Sequence, residues 1–228
     1  ELVAFAHSID NMGKAAEELQ TFIVIFVLAV SVTTAEVIRG YFAYLLGDRY
    51  GYVERRLTTN PLELIDFIGT IALPLIFILF QSPLMGASCH QVQIDFVRIK
   101  FGKLGIVLAI LAKPFSEFLL CTVSYLLLRL SQPESFAFDV FYYGVCLNAF
   151  LITIGFLPIL PFSGGQLMAA LLPQRLRYKY EQHAPYSLFI IVFITIVLPW
   201  IGIDIMPLFS FIAMKVIRAA VFFGNLII

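Results

Sequence analysis

From Thr21 to Leu46 the chain is apolar except for Ser31 to Thr34, Glu36 and Arg39. Further apolar runs lie at 64–80, 104–130, 140–172 (broken by Pro158 and Pro161), 187–203 and 206–228. A helix rising 1.5 Å per residue crosses the ~30 Å hydrocarbon layer in about 20 residues, so most of these runs are long enough to span it. Composition excludes the soluble alternative. Hydrophobic residues make up 61% of the 228 and charged ones 13%, whereas soluble domains hold roughly 45–50% and about 25%. The chain reads as an all-α polytopic membrane protein, with a polar segment at 1–20 ahead of a membrane domain at 21–228.

The polar stretches set the remaining organisation. Residues 1–20 are mildly acidic, with Asp10, Glu17 and Glu18 against Lys14, and lack the tripartite pattern of a secretory signal. Residues 47–63 read as a loop with strand pieces around Tyr50–Val53 and Arg56–Thr58. The 15 basic residues are cancelled by 15 acidic ones, so no basic face for nucleic acid is expected. Cys89, Cys121 and Cys146 form no CxxC pair, which indicates neither a disulfide framework nor a thiolate metal site. The aromatic segment 135–143 suits an interfacial anchor.

Charge bias decides how the short run at 64–80 is read. If it crosses, the basic loops at 47–63 and 81–103 fall on opposite sides. If it enters and returns, one side collects Arg49, Arg55, Arg56, Arg98, Lys100, Lys103, Arg175, Arg177 and Lys179, leaving Lys14 and Arg129 on the other. Basic residues concentrate in cytoplasmic loops, and Gly69 and Pro74 offer a bend. The re-entrant reading is therefore preferred, giving five crossings near 21–46, 104–130, 140–172, 187–203 and 206–228, with the N-terminus outside.

Four ionisable residues stand out inside apolar runs: Glu36, Arg39, Lys113 and Glu117. Each costs roughly 2.5–3.5 kcal/mol at mid-bilayer, so such groups pair inward. Glu36 and Arg39 are i,i+3 and Lys113 and Glu117 i,i+4, which puts each pair on one helix face. A closed salt-bridge cluster between two helices is the simplest reading; a proton path or a catalytic acid–base pair is the alternative.

The motifs TTAEVIRGYFAYLLGD (33–48), RLTTNPLELIDFIGTIALPL (56–75), SPLMGA (82–87), LAKPFSEFLL (111–120) and NAFLITIGFLPILPFSGGQLMAALLP (148–173) occur in this order. Together they resemble the compact bacterial branch of the site-2 protease family of intramembrane zinc metalloproteases. The resemblance implies a helical core in which two histidines at i and i+4 and an aspartate hold zinc, while the glutamate beside the first histidine acts as general base. Zinc then lowers the pKa of its bound water for attack on a peptide bond.

Residue by residue, that machinery does not carry over. Ala35 and Arg39 stand at the histidine positions and Ser163 at the aspartate position; Glu36 alone keeps the family's residue, as a vestigial general base. Lys113 and Glu117 stand where the family has Gly and Asn. Ala35 has no donor atom, Arg39 is permanently cationic, and Ser163 is a poor neutral ligand. His7, His90 and His183 lie in terminal or loop regions. Ser163-Gly164 reads as part of a turn rather than a serine nucleophile, because no histidine sits in any span to activate it.

Five altered positions with chemically complementary residues indicate natural degeneration. Arg39 is expected to replace the zinc charge, with Glu36 as its first partner, Glu117 as its second, and Lys113 balancing the set. Removing one member of such a pair typically costs about 3–5 kcal/mol. The expectation is therefore a pseudoprotease without zinc or any other cofactor. It would serve as a structural subunit of a stable complex with other membrane proteins, or bind a transmembrane partner. The setting is the lipid bilayer of a bacterial cytoplasmic (inner) membrane, or of an organelle of bacterial descent. The competing readings are an active intramembrane metalloprotease with an unusual or partner-supplied metal site, and transport through the charged interior.

Overall fold

Apolar chain inside a bilayer must satisfy its own backbone hydrogen bonds, which favours helices. Among the described residues four reach spanning length: α1 (Leu2–Leu46, of which Glu18–Leu46 is the apolar part), α3 (Gly102–Leu130), α4 (Phe136–Gly155) and α7 (Met206–Ile227). The short helices are α2 (Leu73–Leu79), α5 (Ser163–Leu171) and α6 (Gln174–Glu181). This computed structural model describes residues 2–55, 57–79, 87–133, 135–186, 189–190, 193–198, 201–202 and 206–227, with side chains described from residue 18 onward except at a few positions within 185–206.

α1 is already helical at Leu2, so the polar N-terminal segment is continuous with the first span. α3 packs against both α1 and α4, and α7 lies against α3 and α4. Small residues allow this closeness: Cys121, Ala149, Ala213 and Ala220 share a buried cluster where α3, α4 and α7 meet. Asn148 of α4 donates from Nδ2 to the Ser31 hydroxyl of α1 at 3.1 Å.

The segment after α1 turns back on itself. Asp66 caps a π-helical turn, Phe67–Ala72, by accepting from the backbone N–H groups of Ile68 (3.3 Å) and Gly69 (3.1 Å). With α2 this makes an apolar helix over Phe67–Leu79, rising only about 20 Å, too little to span. Its two arms meet again. Ser88 N–H donates to the Gly69 carbonyl at 2.9 Å, His90 N–H donates to the Leu64 carbonyl at 2.8 Å, and Thr70 Oγ1 donates to the Ser88 carbonyl at 2.7 Å. The chain is thus back beside residue 64 by residue 90, as a re-entrant segment requires. Residues 80–86, which hold most of the SPLMGA motif, lie outside the described residues.

Two sequence expectations are corrected. First, the strand pieces at 50–53 and 56–58 do not form, and no strand occurs among the described residues. Local bonds close turns instead, from Glu54 N–H to the Tyr50 carbonyl and from Arg55 N–H to the Tyr52 carbonyl; Arg56 lies outside the described residues. Second, the run 140–172 is not one span: α4 ends at Gly155, a turn carries Pro158 and Pro161, and α5 starts afresh at Ser163. The crossing expected at 187–203 falls largely outside the described residues, but the helices on either side of it are placed. Phe209, near the start of α7, packs with Ile154 at the end of α4, while Asn225 near the end of α7 accepts from Tyr125 and Arg129 at the end of α3. The chain therefore leaves α4 and enters α7 at the same end of the bundle. Within 187–203, Phe193–Val197 form a π-helical turn.

Candidate functional site

The site is built from the middle of α1 outward. Glu36 and Arg39 lie one turn apart, and Arg39 Nη1 donates to Glu36 Oε1 at 2.6 Å. An extended stretch, 87–95, lies against this helix: Cys89 Sγ donates to the Val32 carbonyl at 3.5 Å, and Val92 N–H donates to Glu36 Oε1 at 3.2 Å. From α3, Lys113 Nζ sits 3.1 Å from Glu36 Oε2. Glu36 is fully buried, and two cations and a backbone N–H occupy its carboxylate.

The second arm of Arg39 reaches α5. Its Nη2 donates to Gln166 Oε1 at 2.7 Å. Gln166 Nε2 in turn donates to Gln91 Oε1 at 3.1 Å and to the Pro161 carbonyl at 2.9 Å. Gln91 Nε2 donates to the same carbonyl at 2.9 Å. One polar chain therefore runs from Lys113 through Glu36, Arg39 and Gln166 to Gln91 and Pro161, joining α3, α1, α5 and the extended stretch. Gln166 also lines a cavity of about 380 Å³ between α3, α5 and α6, with Lys103 and Arg177 among the residues around it.

The turn before α5 sets this geometry. A Cβ on Gly164 would collide with the carbonyl oxygens of Phe156 and Leu157, and one on Gly165 with the backbone of Ile159 and Leu160. The two glycines let α5 start directly on that turn, which carries Ser163 into the interior and Gln166 to Arg39.

The sequence-derived residues are placed as follows. Glu36, Arg39 and Lys113 come together. Ala35 is fully buried beside Glu36, and Ser163 is buried at the first residue of α5. Glu117 is also buried but makes no hydrogen bond or ion pair with Arg39 among the described residues; its Oε2 borders Gly155 of α4. Arg39's second partner is thus the neutral Gln166, which a search for charged residues overlooks. Lys215 and Arg218, inside the apolar run of α7, also escaped that search, although the same rule covers them.

The donor set does not fit zinc. Glu36 is already held by two cations and an amide, Arg39 is itself a cation, and Ala35 offers nothing. Among the described residues no three His, Cys, Asp or Glu side chains converge on a metal-sized site. His90 and His183 are exposed, and the side chain of His7 lies outside the described residues. Cys89 is committed elsewhere, its Sγ donating to the Val32 carbonyl of α1.

Over 182 residues the chain is 28% identical to the protein named "Putative zinc metalloprotease YwhC" of Bacillus subtilis (strain 168). A site-2-protease-like relationship is supported. The match covers 75% of this chain and 80% of the relative, so the likeness runs through most of the membrane domain rather than one motif. No family model matches the chain, and no solved structure does.

Proposed function

We propose that the protein is a catalytically inactive site-2-protease-like membrane protein, kept for its shape as a structural subunit of a membrane complex. The observation that carries this reading is the 2.6 Å contact between Arg39 Nη1 and Glu36 Oε1. The residue at the general-base position is neutralised by a guanidinium standing at a ligand position. A carboxylate held this way cannot also accept a proton from a metal-bound water, and the cationic fork repels a dication.

A network that ties four segments together through buried charge suits a rigid scaffold. Buried ion pairs are poor sources of net stability, but once present they are costly to break. The basic loops around α1, α3 and α6 would face the cytoplasm, and the bacterial relative supports a bacterial cytoplasmic membrane as the setting.

The test is metal content and peptidase activity of the full chain purified in mild detergent. Substoichiometric zinc after dialysis against zinc-containing buffer, with no cleavage of a reconstituted transmembrane peptide, is the expected outcome. Stoichiometric zinc that Glu36→Ala abolishes would overturn the reading in favour of an active metalloprotease with an unusual ligand set.

A further inference from the structure

α7 (Met206–Ile227) is the least covered of the four long helices: 22% of its most apolar window is buried, against 44–50% in the others. Near its middle stand Lys215 and Arg218, both exposed. Lys215 lies nine positions after Met206, and Arg218 lies nine positions before Ile227. Both cations therefore lie about 14 Å from the nearer helix end, close to the bilayer midplane. Snorkelling serves cations near helix ends, and these are not near one. Lys215 Nζ rests over the Phe211 ring, 5.2 Å from its centroid, and neither cation has a carboxylate partner among the described residues.

The surroundings have the form of a helix seat. Phe211, Met214, Lys215, Arg218 and Phe222 recur at i, i+3, i+4, i+7 and i+11, and all five are exposed, so they form one stripe. Beside it a groove of about 530 Å³ runs between α3, α4 and α7, lined by Phe115, Phe118 and Phe156 with Lys215 at its edge. A second copy of the chain cannot supply the missing charge at mid-span, because Glu36 and Glu117 are buried and the other carboxylates of the described spans, Glu18 and Asp139, stand at span ends far from the level of Lys215 and Arg218.

The geometry points to a docking surface on α7 for the transmembrane helix of a different protein, one that carries an Asp or Glu near its midpoint to pair with Lys215 and Arg218. The inference rests on the reading of the protein as a subunit and adds the chemistry of the neighbour. An unpaired cation in hydrocarbon is strongly disfavoured. A carboxylate on the facing helix removes that cost for both partners.

The test places the full chain in phosphatidylcholine vesicles with labelled leucine-rich transmembrane peptides that differ only at the centre (Glu, Gln, Lys or Leu) and reads association by energy transfer. The Glu peptide should associate about tenfold more tightly than the Leu peptide, the scale of an interhelical polar contact. The Lys peptide should not associate above the Leu background. Lys215→Leu with Arg218→Leu should abolish the Glu preference while leaving the melting temperature in detergent unchanged. Equal association of all four peptides, or a Glu preference that survives the double substitution, overturns the docking surface. Zinc content of the same preparation judges the inactive-scaffold reading separately, so either can fail alone.

Discussion

Arg39 of α1 and Gln166 of α5, 127 positions apart in the chain, are joined by a 2.7 Å hydrogen bond from Nη2 to Oε1. Because the other guanidinium arm holds Glu36, Arg39 is the tie between the first span and the turn that follows α4. Arg39→Ala should lower the melting temperature in detergent, with a loss toward the lower end of about 3–5 kcal/mol, since it breaks a buried ion pair and leaves Glu36 with Lys113 and the Val92 N–H alone. Arg39→Lys should recover only part of this, because one ammonium lacks the planar fork that serves both partners. An unchanged melting temperature for Arg39→Ala would mean that the tie contributes nothing.

Gln166→Leu leaves one arm of Arg39 and the Gln91 amide oxygen without the bonds seen here. Stranding buried polar groups costs about 1–3 kcal/mol each, so this substitution should destabilise although it adds apolar surface. Thermal unfolding of Gln166→Leu beside an exposed control, Leu171→Gln, checks this.

Gly164→Ala and Gly165→Ala should each destabilise by about 1–3 kcal/mol, the usual cost of overpacking a close contact, because the methyl group meets backbone rather than a movable side chain. Gly102→Ala offers the comparison, since nothing lies within 4 Å of its added carbon and only its φ of +56° resists the change.

The fold places the end of α1, the start of α3, the end of α4 and the start of α7 together. Single cysteines at Val97, Leu176 and Leu208, introduced without the native ones, should label from one face of sealed vesicles. Cysteines at Ser131 and Leu226 should label from the other. Labelling of 208 from the face of Ser131, and of 226 from the face of Val97, would restore the five-crossing arrangement read from the sequence.

Much of this was legible beforehand, and the exceptions have physical reasons. Glu36, Arg39 and Lys113 announce themselves because an ionised group in an apolar run must find a partner. Gln166 and Gln91 do not, because a neutral amide raises no such alarm and the bond between them spans 75 positions. The aromatic and β-branched residues at Tyr50–Val53 resemble a strand, but with no second strand among the described residues to pair with, the backbone closes turns. Pro158 and Pro161 did mark the break between α4 and α5; it was the length of the surrounding apolar run that suggested a single span.

The most direct test of the charge replacement is zinc binding by the full chain and by the triple variant Ala35→His, Arg39→His, Ser163→Asp, each purified and equilibrated with zinc. The native protein should hold none above background. The variant, which restores two histidines at i and i+4 with a carboxylate from α5, should bind one equivalent. One equivalent of zinc on the native protein, lost when Glu36 is changed to Ala, would contradict the replacement of the metal by Arg39.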